Sequence, residues 1–65
     1  MTFDFNRRFS LSQQIEEVER EVMLRKRVYP GLVRRGKMSQ DMADFHIDRM
    51  EQVLATLEHL AGNHD

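Results

Sequence analysis

Apolar side chains recur at alternating spacings of four and three along two separate stretches of this chain. The first stretch runs Leu11, Ile15, Val18 and Val22, and the same spacing continues to Arg25, Tyr29 and Leu32. The second runs Ala43, Ile47, Met50, Leu54, Leu57 and Ala61. A seam of this period lines one side of an α-helix and needs another helix to cover it. A half-buried strand would alternate every second residue instead. Two such seams joined by a short connection predict an all-α chain folded as an antiparallel helical hairpin.

The ends of both helices are marked. Ser10 followed three residues later by Gln13 fits a capping box, in which hydroxyl and amide side chains satisfy each other's backbone N–H groups. Glu16 with Arg20 and Glu21 with Arg25 are i,i+4 ion pairs in the favourable order, and the basic second half of this helix suits its dipole. Tyr29-Pro30-Gly31 then predicts a kink, because proline lacks the N–H that the preceding turn uses and pushes its predecessor toward extended geometry. The first helix is accordingly expected over about 11–28, with a short helical turn over about 30–35 that Gly36 terminates. Ser39 caps a second helix over about 39–61, with Asp41 in its first turn and Gly62-Asn63 as its stop. Residues 62–65 read as a frayed tail. Residues 1–9 alternate Phe3, Phe5 and Phe9 with Asp4, Asn6 and Arg8, which fits either a short strand or an extended arm laid on the helices.

Size sharpens the problem. With 65 residues and no cysteine, the chain can use neither disulfides nor zinc–thiolate sites to reinforce a small core. Self-association is the remaining remedy. Val53 and Leu60 widen the second seam, and Met23, Leu24 and Val28 flank the first, so the apolar surface exceeds what one partner helix covers. The expectation is a homodimer in a four-helix arrangement, with Leu11, Ile15, Val18, Val22, Ile47, Met50, Leu54 and Leu57 as the dimer and core positions. No apolar run approaches the length of a membrane span and no signal-peptide pattern opens the chain, which predicts a cytoplasmic protein without a membrane partner.

Charge is segregated. Residues 1–37 carry nine basic and five acidic side chains, whereas residues 38–65 carry one and six. Arg25, Lys26, Arg27, Arg34, Arg35 and Lys37 are not interrupted by any acid. This basic corner either pairs internally with the acidic stripe Asp41, Asp44, Asp48, Glu51 and Glu58, or engages an acidic protein surface or phosphates. A charge of this size is modest for nucleic acid. Arg25 lies on an apolar seam, so it must find a carboxylate, reach solvent or face a partner. Tyr29 and Phe45 offer aromatic surface, Phe45 within a secondary strip with Met38, Met42 and Arg49 whose methionines adapt to varied surfaces. The Phe-rich N-terminal segment is an alternative cover for that strip. Arg25, Tyr29, Arg34, Arg35, Phe45 and Arg49 are therefore the candidate partner-binding residues.

Chemistry beyond binding has no sequence support. His46 and His59 are thirteen residues apart, and no pairing places two ligands on one helical face, so no metal site is expected. No nucleophile elbow, phosphate loop or paired carboxylates appear, and neither catalytic nor cofactor-binding residues are assigned. The reading is a non-enzyme.

The segment Val28-Tyr29-Pro30-Gly31-Leu32-Val33-Arg34-Arg35-Gly36-Lys37, with Glu19 and Lys26 before it and Ala43, Ile47, Met50 and Thr56-Leu57 after it, resembles a group of short helical phage and prophage proteins. The resemblance covers roughly residues 15–60 and rests on Tyr-Pro and Gly-Lys at fixed spacing. That group has no settled biochemistry. The resemblance implies a host-directed protein that binds and inhibits or sequesters a regulator, defence or motility component of the host cell. Two other readings stand beside it. One is a ribbon-helix-helix-like DNA-binding repressor, with Asp4, Asn6 and Arg8 facing the major groove. The other is a structural or assembly protein.

Overall fold

Ser10 starts the first helix through the reciprocal bonds its spacing calls for. In the computed structural model, which describes residues 8–62, the Ser10 hydroxyl accepts from the Gln13 N–H at 3.1 Å. The Gln13 side chain accepts from the Ser10 N–H at 2.8 Å. Helix α1 then runs Leu11–Arg34. At its other end Gly36 adopts φ 70°, the left-handed conformation in which glycine carries no Cβ penalty. The Lys37 N–H donates to the Leu32 carbonyl at 2.8 Å and the Gly36 N–H to the Val33 carbonyl at 3.0 Å, the paired bonds of a Schellman cap. Ser39 accepts from the Met42 N–H at 3.1 Å and opens helix α2, Gln40–Gly62. The described residues are all helical apart from the flanking segment 8–10 and the connection 35–39.

One boundary differs from the sequence expectation. Tyr29, Pro30 and Gly31 lie inside α1, and the segment 30–35 supplies its final turn rather than a separate one. Proline at position 30 removes a single donor, the one that would bond the Lys26 carbonyl. The last turn is still closed, with the Arg35 N–H donating to the Gly31 carbonyl at 3.1 Å. Packing supplies the compensation. Tyr29, Leu32 and Val33 are each half-buried, and continuing the helix keeps Tyr29 and Leu32 on the seam.

The two helices pack antiparallel side by side. Arg25 reaches across to the backbone of His46, its Nη1 2.8 Å from the carbonyl oxygen. Aligning the two seams on this contact sets Leu11 level with Ala61, Ile15 with Leu57, Val18 with Leu54, Val22 with Met50 and Tyr29 with Ala43. The spacing of one seam mirrors that of the other, so no position is out of step along the hairpin. Val22 and Ala43, 6% and 3% exposed, are the buried residues among those described; the other seam residues are half-buried. Fully burying a side chain such as valine is worth about 1.5–3 kcal/mol. A single helix pair gives very few residues that full value.

The hairpin has two unlike broad faces. Lys26 bridges the helices on one of them, its Nζ 2.7 Å from Glu51 Oε2. Successive helical residues turn by about 100°, which puts Glu19, Asp44 and Glu58 on that same face. Arg25 crosses to His46 on the opposite face. There the flank of α1 carries Glu17, Glu21 and Val28, with Leu24 at the margin. The flank of α2 carries Met42, Arg49, Val53 and Leu60.

Candidate functional site

The apolar broad face is the site the fold builds. Leu24, Val28, Met42, Phe45, Val53 and Leu60 are each 40–51% exposed. With Phe45 at its outer margin, the set falls on the face marked by Arg25. Scattered single hydrophobes are normal on a protein surface, whereas this strip is shared by two helices. Met23, the most exposed large hydrophobe at 70%, belongs elsewhere, on the outer side of α1 toward the opposite face.

A shallow groove between the helices runs down this surface, lined by Arg25, His46, Arg49, Met50 and Val53. Arg25 is held firmly in it. Its Nε donates to Glu21 Oε1 at 2.9 Å while Nη1 takes the His46 carbonyl, so a guanidinium on the seam finds both a carboxylate and a backbone oxygen. Glu21 and Arg25 thus form the i,i+4 pair expected. Arg20 departs from expectation and bonds Glu17, three residues earlier, at 3.1 Å. Both members of that pair lie well in solvent, where such a contact contributes little.

Arg49 borders the groove and lies over the Phe45 ring, its guanidinium carbon 5.1 Å from the ring centroid. At an exposed site this cation–π contact is worth about 0.5–1 kcal/mol. The Phe45 ring also meets His46 edge-on, with centroids 5.4 Å apart. The remaining candidates lie toward the connection. Arg34 and Arg35 are exposed, and their guanidinium nitrogens come to 3.7 and 3.5 Å from the point a Cβ on Gly31 would occupy. Tyr29 is half-buried on the seam, facing the interior of the hairpin.

The six sequence candidates therefore fall into separate groups. Arg25 and Arg49 share the groove, and Phe45 stacks under Arg49. Arg34 and Arg35 form a basic corner at the connection, and Tyr29 belongs to the packing between helices. The sequence flagged Leu24 and Val28 as flanking apolar residues but did not join them to Met42, Val53 and Leu60. That union depends on the rotational setting of the helices, which the Arg25–His46 and Lys26–Glu51 contacts reveal. Phe3, Phe5, Asp4 and Asn6, the residues of the proposed strand or arm, lie outside the described residues, as does most of the tail. Arg8 is described, with its guanidinium 5.7 Å from the Phe9 ring centroid.

Among the described residues, no group of three or more His, Cys, Asp or Glu side chains is placed to hold a metal ion, and no helix is long and apolar enough to cross a membrane. No buried side-chain nitrogen or oxygen among them lacks a hydrogen-bond partner. No protein-family model matches the chain, and neither a curated protein nor a solved structure matches it significantly.

Proposed function

We propose that this chain is a protein–protein interaction module that acts by binding rather than by catalysis. It self-associates into a four-helix arrangement and presents its basic corner to a host protein, in the manner its resemblance to short phage proteins implies. The observation that carries this reading is the apolar face left exposed among the described residues, beside a core of two buried side chains. A hairpin of this kind gains stability when another helical surface excludes water from that face. Arg34, Arg35 and the neighbouring Lys37 suit an acidic protein surface, with arginine providing bidentate contacts to carboxylates. Phe45 with Arg49 adds an aromatic anchor at the margin. The setting is the host cytoplasm.

The test is capture of partners from host lysate on the immobilised chain, followed by mass spectrometry. One host protein should be retained in stoichiometric amount, and a combined Arg34→Ala and Arg35→Ala variant should lose it while keeping its helical circular dichroism. Equal retention by that variant, or no retained protein with the unaltered chain, would contradict the reading.

A further inference from the structure

We infer that a second copy of this chain covers the apolar face with its two-fold axis parallel to the helices, so that α1 of each copy lies on α2 of the other. This rests on the self-association proposed above and adds which face is used, how the copies are oriented, and what the assembly presents.

Three features select this occupant and this axis. The first is length. α1 and α2 contain 24 and 23 residues, so each covers the other end to end without overhang. The second is area. A face about 36 Å long and two helices wide, at about 10 Å per helix, covers about 700 Å², close to the roughly 800 Å² each partner buries in a standard stable interface. The third is charge. On this face α1 carries Glu17, Glu21 and the Arg25 that bonds Glu21, a net −1, while the α2 flank carries Arg49 among Met42, Val53 and Leu60. An axis along the helices sets Glu21 within about one helical turn of the partner's Arg49, and Val28 between the partner's Met42 and Phe45. An axis across the helices instead lays each flank on its own copy, bringing Arg49 against the partner's Arg49 and the two acids against apolar side chains. Like charges opposed in this way disfavour that alternative.

The first arrangement also makes every neighbouring helix pair antiparallel, the ordinary geometry of an up-down four-helix bundle. It has a functional corollary. Both 35–39 connections then emerge at the same end, gathering two sets of Arg34, Arg35 and Lys37 into one basic surface. An acidic target would meet six cations at one end of the dimer rather than three at each end.

The chain lacks cysteine, so a single Lys37→Cys substitution on the exposed connection allows one spin label per copy. Dipolar spectroscopy should give a label separation below about 25 Å, since the labels sit across one end of a bundle whose helices are about 10 Å apart. A separation of about 35 Å or more, the length of the hairpin, would overturn this packing yet leave self-association standing. Absence of dipolar coupling together with a monomer mass by sedimentation would overturn both. Val28→Glu and Met23→Glu test the face. Both side chains are accessible in the hairpin, yet only Val28 lies on the inferred interface. Val28→Glu should weaken dimerisation at least tenfold, and Met23→Glu should leave it unchanged. Equal weakening by the two would place the interface elsewhere.

Discussion

Replacing Pro30 by alanine should stabilise this protein, and the sign of the effect separates a helix that passes through the proline from one that stops before it. Pro30 lies within α1, four residues before its last residue Arg34, and its side chain is exposed, so alanine removes no packing. Interior proline costs about 3 kcal/mol relative to alanine, through the missing donor and the clash with the preceding turn. Alanine restores an N–H for the Lys26 carbonyl. It also loosens the unfolded chain, which returns up to about 1 kcal/mol of that gain. The net expectation is about 2 kcal/mol of added stability. At about 4–8 °C per kcal/mol for a domain of this size, the melting temperature should rise by about 8–16 °C. Thermal and urea unfolding followed by circular dichroism at 222 nm, at one fixed chain concentration, measure it directly. If proline instead opened a separate turn, its locked φ would suit that first position and alanine would be neutral or harmful. An unchanged or lowered midpoint would therefore refute the continuous helix.

Other substitutions probe the cap, the seam arginine and the cross-helix pair. Gly36→Ala should cost about 1–2 kcal/mol from its positive φ alone, because nothing lies within 4 Å of the added methyl; urea midpoints check this. Arg25→Leu should leave stability unchanged or raise it by about 1 kcal/mol, since an apolar side chain fits the seam and Glu21 is exposed enough to hydrate. Arg25→Ala should cost about 1–3 kcal/mol through lost packing and charged hydrogen bonds. A leucine variant destabilised by more than about 2 kcal/mol would mean that the guanidinium itself sets the helix register. Glu51→Gln should cost under about 1 kcal/mol, a difference that shrinks as salt rises from about 0.05 to about 1 M, because both partners of the Lys26 pair are open to solvent.

Local signals in the sequence were read well where the physics is local. Ser10 with Gln13, Ser39 and Gly36 each act within one turn of their own position, and each carries the hydrogen bonds or the positive φ that its residue type suggests. The hairpin followed from the seams because a 4-3 repeat has one apolar side. Pro30 misled because a local rule competes with tertiary packing. The half-buried Tyr29, Leu32 and Val33 reward continuation, and a Schellman cap waits beyond them. Arg25 was recognisable as a cation on an apolar seam in need of acceptors, and Glu21 was a visible partner. The His46 carbonyl was not, since every residue offers the same backbone oxygen. The Lys26–Glu51 pair, and the division of the surface into a charged and an apolar face, depend on how each helix is rotated about its axis. A single chain of letters does not encode that setting until two helices touch.

Val22 and Ala43 are the whole of the dry interior among the described residues. If a second copy shields the oily side as proposed, foldedness is tied to occupancy, because that cover supplies much of the free energy that keeps the helices wound. Dilution should then act as a denaturant, and resistance to a protease should climb with chain concentration. Under the self-association proposed above, such a protein would carry its own timer, persisting while crowded with its own kind and cut down when scarce.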